Sequence, residues 1–346
     1  MKYLAVLGRQ PEISIAELEA TGFCTDINRL GGTLKLAEKL DERPIEYLQS
    51  LPEGKITLGV SDYSGKGSRK SATMEALKLK KILVRHGRSA RVVENKEATL
   101  STATSLHNGL SGKNERKVEL IKVEDEWYKV IGVQDIDAYT KRDQARPARD
   151  AKVGMLPPKL AQILINLCGS LRKGATILDP FCGTGVVLQE ALLMGYRAYG
   201  TDISERMIKY SEKNLQHFNF ENYKLEVGDA ADFKWSEKID AVACEGYLGK
   251  PMSQVPTEIK LKVEKQECQA VVLGFLENLV GQIKTGTPVV MAIPAWLREN
   301  NSYSRLEILD EIEKLGYNVN NKSREGLLYA RVGQIVARDI IILRKK

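Results

Sequence analysis

The chain has 346 residues, enough for two domains of ordinary size, and a formal net charge of +7. No apolar run approaches the roughly 20 residues that a membrane helix needs, and the first apolar stretch is too short for a secretion signal. Its five dispersed cysteines contain no Cys-x-x-Cys pair, and its three histidines are also dispersed, which argues against disulfides and against a metal site. We therefore expect a cytoplasmic protein without a metal or a membrane anchor.

The first half of the chain predicts a small α+β module. Apolar strands are expected near residues 2–7, 32–36, 55–60 and 90–93, with a hairpin over 118–134. Ser14 is followed three residues later by Glu17, a capping box that predicts a helix N-terminus at Ser14. Asp41 is a second candidate helix cap. This half has no glycine fingerprint, so we expect the catalytic site elsewhere.

The segment 66–91 is strongly basic. Apolar residues at helical spacing predict a helix over 69–87 whose other face is cationic, and Glu75 is the one acid in the segment. Such a concentrated positive field suits a phosphate backbone, and the alternative is a solvated helix face. The candidate nucleic-acid-binding residues are Lys66, Arg69, Lys70, Lys80, Lys81, Arg85 and Arg88.

The second half predicts a different architecture. A polar, proline-broken stretch over 139–154 predicts a linker. From residue 155 onward strands alternate with helices, which indicates a parallel sheet, and a terminal hairpin over 327–331 and 336–343 adds an antiparallel strand. In such sheets ligands bind at the carboxyl ends of the strands, near the switch point.

One turn in this half joins a buried strand to a helix, and it reads Asp179-Pro-Phe-Cys-Gly-Thr-Gly185. Gly183 and Gly185 allow backbone to approach a ligand closely. Because an acid ends the strand and the turn has no lysine, the pattern disfavours a phosphate and favours a ligand with a cationic amino acid moiety. This points to S-adenosylmethionine, and the alternative is a tight turn without a ligand.

The later strands of this half also end at acids, so we expect four carboxylates at one sheet edge. Asp202 lies about twenty residues after the glycine turn, where a carboxylate can hold ribose hydroxyls. Its alternative role as a helix N-terminal acid is weaker because Ser204 is the predicted cap. Asp229 is either an acceptor for the adenine amine or a turn aspartate. The candidate cofactor-binding residues are Asp179, Phe181, Gly183, Gly185, Asp202, Ile203, Asp229 and Ala230.

The turn resembles motif I of class I S-adenosylmethionine-dependent methyltransferases. Further segments are similar, in the same order, to the THUMP-domain tRNA guanine-N2-methyltransferases that modify position 10 of tRNA. The resemblance implies an α/β fold with a C-terminal Rossmann-like methyltransferase sheet over 155–346, whose last strand is antiparallel. It also implies an N-terminal α+β ferredoxin-like and THUMP region over 1–138 that binds tRNA. The segments that carry it are Leu7-Gly-Arg-Gln-Pro-Glu-Ile-Ser-Ile-Ala-Glu-Leu18, Tyr139-Thr-Lys-Arg-Asp143, Arg146-Pro-Ala-Arg-Asp150, Leu156-Pro-Pro-Lys-Leu-Ala161 and Tyr329-Ala-Arg-Val-Gly-Gln-Ile-Val-Ala-Arg338.

The chain departs from this family after the fourth strand of the sheet. The family has Asp-Pro-Pro-Tyr there, and this chain has Glu245-Gly-Tyr-Leu-Gly249. Glu245 aligns with the family's acid and can accept a hydrogen bond from a guanine N2 amine. Tyr247 is either a stacking platform for a flipped base or a packed turn tyrosine. The expected catalytic residues are Glu245 and Tyr247.

The sequence thus predicts a methyltransferase that uses S-adenosylmethionine to methylate guanine N2 in tRNA. Two alternatives stay open at this point. One is a methyltransferase for a different RNA or DNA base amine. The other is a tRNA-binding protein that has lost catalysis.

Overall fold

Runs of apolar and β-branched residues form a six-stranded sheet in the first of two units of this computed structural model, which describes residues 2–150, 155–321 and 327–346. The first unit takes in the chain up to residue 9, residues 24–28 and residues 33–138. Its sheet order is β1-β2-β6-β5-β3-β4. The strands are β1 Tyr3–Leu7, β2 Thr33–Lys39, β3 Ile56–Asp62, β4 Ala90–Val92, β5 Lys117–Val123 and β6 Glu126–Val133.

Three helices accompany this sheet: α2 Pro44–Ser50, α3 Arg69–Arg85 and α4 Thr102–His107. The predicted basic helix is α3, and Ser68 caps its N-terminus by accepting a hydrogen bond from the Ser71 N–H. Its apolar face, including Ala76 and Leu83, packs with Leu58 and Val60 of β3. The basic residues are therefore left on the remaining faces of the helix.

The second unit takes in residues 10–23, 29–32 and 139 to 346, and its strands form a nine-stranded sheet. The main path runs β13-β15-β11-β10-β7-β8-β9, with β12 paired to β11 and β14 paired to β15. The strands are β7 Thr176–Asp179, β8 Arg197–Asp202, β9 Tyr223–Val227, β10 Ala241–Glu245, β11 Pro288–Leu297, β12 Tyr303–Arg305, β13 Tyr317–Val319, β14 Leu328–Tyr329 and β15 Val336–Lys345.

Neighbouring strands from β9 to β11 pair in parallel, whereas β15 pairs antiparallel to β11 and confirms the predicted antiparallel strand. The helices of this unit are α1 Pro11–Ala20, α6 Pro158–Leu167, α7 Val186–Leu193, α8 Glu205–His217, α9 Glu258–Val280 and α10 Leu309–Lys314. Helix α5, Ile136–Gln144, begins before residue 139, where the second unit resumes. One apolar cluster packs Leu164 and Val187 against one sheet face, and a second packs Phe275 against the other.

The predicted capping box at Ser14 is wrong. Helix α1 begins one turn earlier, at Pro11, and both residues of the predicted box are buried. The Ser14 hydroxyl donates to the carbonyls of Gln10 and Gly32 instead. Proline suits the first turn of a helix because its missing N–H would have no partner there, which explains the earlier start.

Several other local predictions also need correction. Arg43, not Asp41, occupies the N-cap of α2. Residues 139–150 of the predicted linker belong to the second unit, and its residues 151–154 lie outside the described ranges. The short strands β12 and β13 were not predicted, since three-residue strands carry little periodic signal. Across the described ranges, every helix is too short or too polar to span a bilayer.

Candidate active site at the carboxyl edge of the second sheet

The turn between β7 and α7 is shaped by its two glycines. Gly183 has a φ of 50° and Gly185 a φ of 83°, in the left-handed region that glycine adopts without strain. A Cβ on Gly183 would meet no atom nearer than the Phe181 carbonyl oxygen, at 3.9 Å, whereas a Cβ on Gly185 would lie 2.9 Å from the Ser211 Oγ. The turn is therefore open at Gly183 and tightly packed at Gly185.

Polar side chains of α8 hold this turn in place. Ser211 donates from its hydroxyl to the Gly183 carbonyl at 2.7 Å, and Asn214 donates from its amide to the carbonyls of Thr184 and Ala148, both at 2.9 Å. Neither residue was predicted from the sequence. The sequence pattern that could have indicated them is a pair of polar residues three positions apart on the buried face of α8.

Three of the four predicted acids interact electrostatically at this edge. Asp179 is 2% exposed, and its Oδ1 accepts a hydrogen bond from the Phe181 N–H at 3.1 Å. Burial raises the pKa of Asp179 well above its ordinary value, and the nearby charges of Asp202 and Glu245 raise it further. Ionised carboxyl groups at this edge therefore repel one another, and a bound cation would relieve this repulsion.

Asp202 organises the turn that follows it. Its Oδ2 accepts from the Gly183 N–H at 3.0 Å and its Oδ1 from the Ser204 N–H at 2.9 Å. Burial raises the pKa of Asp202, while these two hydrogen bonds lower it. Ser204 occupies the N-cap of α8 as predicted, but its side chain makes no capping hydrogen bond.

Exposed apolar side chains flank Asp202, as a planar apolar ligand would require. Ile203 is 70% exposed, and Val227, at the end of neighbouring strand β9, is 48% exposed. Phe181 is half-buried, with its ring centroid 5.3 Å from that of Phe275 in an edge-to-face arrangement. Isolated apolar residues on a surface need no explanation, but Ile203 and Val227 lie at the same strand ends as the acid.

Asp229 and Ala230 form a separate turn after β9. The Asp229 side chain is exposed and accepts from the Ala231 N–H at 2.9 Å, as a turn aspartate does. Ala230 is buried, and its carbonyl accepts from the Asn278 amide at 3.0 Å. The Asp229 carboxylate does not contribute to the raised pKa of Asp179, unlike Asp202 and Glu245.

Glu245 ends β10 and forms an ion pair that the sequence analysis did not anticipate. The Arg338 Nε donates to the Glu245 Oε1 at 2.5 Å, with the side chains 6% and 17% exposed. Burial raises the pKa of Glu245 and the Arg338 guanidinium lowers it. Tyr247 is 37% exposed. The charged groups that influence the pKa of its phenol are Lys250 and the α9 residues Glu264 and Glu267.

The two thiols near the carboxylates lie in surroundings that disfavour their ionisation. Cys182 and Cys244 are buried, and burial raises the pKa of each well above its ordinary value, as does the negative charge of Asp179. A thiol must be ionised to attack. The chemistry of this edge is therefore that of carboxylates. Within the described ranges, no cluster of three or more His, Cys, Asp or Glu residues is arranged to hold a metal ion.

In the first unit, five of the seven predicted basic residues are exposed: Lys66, Arg69, Lys70, Lys81 and Arg85. Arg69 also pairs with Glu94 at 2.9 Å, and Lys80 is half-buried. Arg88 is already occupied, because its guanidinium donates to the carbonyls of Leu51 at 3.0 Å and Pro52 at 2.7 Å. It holds a loop and is less suited than the others to bind phosphate.

Comparison with known proteins identifies the second unit's chemistry. A family model described as a methyltransferase domain matches residues 171–303, and one described as a DNA methylase matches residues 88–213. A tRNA (guanine(10)-N2)-dimethyltransferase of Methanothermobacter thermautotrophicus is 34% identical over 157 residues, which are 45% of this chain and 44% of that protein. The corresponding enzyme of Pyrococcus abyssi is 38% identical over 195 residues, 55% of this chain and 50% of that protein.

A third relative is described as a probable tRNA (guanine(10)-N2)-dimethyltransferase of Methanothermococcus thermolithotrophicus. It is 33% identical over 110 residues, which are 31% of this chain and 67% of that protein. The chain belongs to the S-adenosylmethionine-dependent tRNA methyltransferases. It spans about half the length of the first two relatives of this family.

The cofactor of this family, S-adenosylmethionine, fits the residues at the sheet edge. The open space at Gly183 admits a ligand next to the backbone, and the clustered carboxylates complement its cationic sulfonium and ammonium groups. The exposed Ile203 offers an apolar surface for an adenine ring. The strand order of this unit places these groups at the switch point between β7 and β10, where sheets of this kind bind ligands.

Proposed function

We propose that this protein methylates the exocyclic N2 of a guanosine in tRNA. The relatives bear that activity in their names, and this chain has an acid, Glu245, at the end of β10 beside the proposed cofactor site. Such a substrate also agrees with a cytoplasmic location. The observation that carries the proposal is that Asp179, Asp202 and Glu245 share one edge of the sheet.

The roles of the cofactor-binding residues follow from their contacts. Asp202 would accept from ribose hydroxyls, and Gly183 would let the ligand lie against the turn, whose shape depends on the left-handed φ of Gly185. Ile203 and Phe181 would pack around adenine, with Asp229 and Ala230 at its amine edge. Asp179 would face the cationic methionine end. When bound, S-adenosylmethionine supplies an electrophilic methyl group on a sulfonium.

Glu245 would orient the guanine amine. Its carboxylate accepts a hydrogen bond from the N2 amine, which directs the nitrogen lone pair toward the methyl group. The nitrogen gains a C–N bond and must lose a proton, and the Glu245 carboxylate is the base positioned to receive it. Tyr247 is proposed to stack on the extruded base, as enzymes that act on flipped bases require.

The first unit is proposed to be the THUMP-containing region that grips the tRNA. The exposed Lys66, Lys70, Lys81 and Arg85 on or beside α3 provide cations that suit RNA phosphates. Arg69 and Lys80 would contribute less, because Arg69 already pairs with Glu94 and Lys80 is half-buried. The methyl transfer proposed here needs no metal.

The proposal is tested by methyl transfer to unmodified tRNA, followed by nucleoside mass spectrometry. Wild type is expected to produce N2-methylguanosine or its dimethyl form. Glu245→Gln removes the charge but leaves an acceptor for Arg338, so we expect kcat to fall about 10²–10⁴-fold while the Kd for S-adenosylmethionine changes less than twofold. Cofactor binding without any labelled guanosine would overturn the proposal, and unchanged turnover would remove Glu245 from the mechanism.

A further inference from the structure

The ion pair between Glu245 and Arg338 links two segments that are 93 residues apart in sequence. Glu245 pairs with Ala292 of β11, and Arg338 of β15 pairs with Pro294, two residues further along the same strand. The two side chains therefore meet across the whole width of β11. Neighbouring strands lie about 4.8 Å apart, so roughly 10 Å separates the backbones of β10 and β15, a gap that needs long side chains from both.

The small residue between them makes this contact possible. Ala292 lies in register with Glu245 on one side and with Ile340 on the other, and its methyl group leaves room above β11. The additional methylene of glutamate relative to aspartate extends the carboxylate toward Arg338. The unusual glutamate and the distant arginine thus form one spatial unit.

We infer that Arg338 is a positioning residue for the acceptor carboxylate: it holds the Oε1 of Glu245 and leaves Oε2 directed to the substrate amine. This inference rests on the proposed function. The geometry supports it, because the Arg338 Nε donates to Oε1 at 2.5 Å and no residue of the described ranges donates to Oε2. A carboxylate held at one oxygen loses rotational freedom, so its other oxygen is preorganised.

The pair also favours the ionised form of Glu245 in a buried position. The ionisable groups that interact electrostatically with its carboxyl are the guanidinium of Arg338 from β15, the carboxyl of Asp179 from β7 and the thiol of its neighbour Cys244. Burial raises the pKa of Glu245, and Arg338 is the cation that opposes this effect. Without that cation, the carboxylate form would require a higher pH.

The test is the pH dependence of single-turnover methyl transfer in Arg338→Met, Arg338→Lys and wild type. An opposite charge at this distance typically lowers a carboxyl pKa by about 1–3 units. The midpoint of the acidic limb of the pH–rate profile of Arg338→Met should therefore shift to a pH about 1–3 units higher. Below both midpoints this corresponds to rates roughly 10- to 1000-fold lower, with partial recovery at high pH. The Lys variant should retain most of the wild-type profile, and the Kd for S-adenosylmethionine should not change.

Arg344→Met is the matched control, since Arg344 lies on the same strand but is exposed and binds the Gly286 carbonyl. If Arg338→Met does not fold, as judged by circular dichroism, Arg338→Gln replaces it because Gln can donate to Oε1 without a charge. A folded variant whose pH profile coincides with that of wild type overturns the inference.

A second readout separates this inference from the proposed function. In protein labelled with ¹³C at glutamate carboxyls, the Glu245 resonance is assigned by its absence in Glu245→Gln. Its titration midpoint should rise in Arg338→Met whether or not tRNA is methylated. An unchanged titration midpoint of Glu245 in Arg338→Met would overturn the role of Arg338. Absence of methyl transfer by the wild type would overturn the proposed function alone.

Discussion

Asp202 organises the glycine turn and is also a proposed ligand of the cofactor ribose. It accepts the backbone N–H groups of Gly183 and Ser204, which fixes the glycine turn, and it ends the strand where a ribose would bind. Its burial makes each lost hydrogen bond costly. In the proposed site, this residue would couple the shape of the turn to the affinity for the cofactor.

Replacement of Asp202 should weaken cofactor binding strongly. A hydrogen bond to a charged group contributes about 1.5–3 kcal/mol, so Asp202→Ala should raise the Kd for S-adenosylmethionine about 10- to 150-fold. Isothermal titration calorimetry measures this directly. Asp310→Ala, an exposed residue in the first turn of α10, is the control and should bind normally. Equal affinities for the two variants would exclude Asp202 from the cofactor site.

At this scale the sequence predicted the residues whose role is local. Asp179, Gly183 and Asp202 could be singled out as candidates because each lies at the end of a strand or in the turn after it, which is a one-dimensional pattern. Arg338 could not be assigned a role, because its partner Glu245 lies two strands away and the register of β11 decides the contact. Tertiary pairing of that kind leaves no periodic signal in a single sequence.

Among the elements, α1 depends most on one buried side chain. Glu17 is fully buried and accepts the N–H groups of Gly31 and Gly32, both at 2.8 Å, and the Asn166 amide of α6 at 2.7 Å. Burial raises its pKa and these hydrogen bonds lower it. The helix and the 29–32 segment are thus joined to α6 by a single carboxylate.

Removal of that carboxylate should destabilise the second unit. Glu17→Ala leaves three donors without their acceptor, and each buried unsatisfied group costs about 1–3 kcal/mol, partly relieved by water. We expect the free energy of unfolding to fall by about 3 kcal/mol, measured by urea denaturation followed by tryptophan fluorescence. Glu19→Ala, on the exposed face of the same helix, should change it by less than about 0.5 kcal/mol. Similar midpoints for both variants would contradict this role.

The same residue explains why the capping-box prediction failed. Ser14 and Glu17 have the right spacing, but that pattern describes a reciprocal contact at a helix N-terminus. Here Glu17 instead satisfies Gly31 and Gly32, whose N–H groups would otherwise be buried without partners. The backbone donor of Gly32, with which the capping contact competes for Glu17, lies fifteen residues away, beyond the range of a local pattern.

At the level of the whole molecule, the charge of the first unit should determine how tightly tRNA binds. The triple variant Lys70→Ala/Lys81→Ala/Arg85→Ala removes three exposed cations of α3. Each lost phosphate contact should reduce the slope of log K against log salt by about 0.7–0.9, so we expect a slope smaller by about 2–3. Filter binding at several salt concentrations measures it.

The control for this experiment removes cations at a different place, two of them against the three of the triple variant. Lys173→Ala and Arg172→Ala alter exposed cations of the second unit, before β7. They should leave the slope nearly unchanged, and the triple variant should still bind S-adenosylmethionine normally. A triple variant with the wild-type slope would show that α3 does not contact the RNA.

The overall architecture was more predictable than its boundaries. Alternating strands and helices after residue 155 predicted the parallel sheet, and the terminal hairpin predicted its antiparallel strand. The membership of α1 in the second unit was not predictable, because it depends on Ile13 packing in a cluster with Leu160 and Leu164 of α6. Sequence order gives no indication that these residues are neighbours.

This membership of α1 has a consequence for synthesis on the ribosome. Ala20 ends α1 long before Pro158 begins α6, and nearly the whole first unit is translated in between. At a translation rate of about 5–20 residues per second, roughly 7–30 seconds pass between the synthesis of α1 and that of α6, which covers its apolar face. The nascent chain must therefore keep Ile13 and Leu18 from other contacts during that interval, and the second unit can be completed only after the first has emerged.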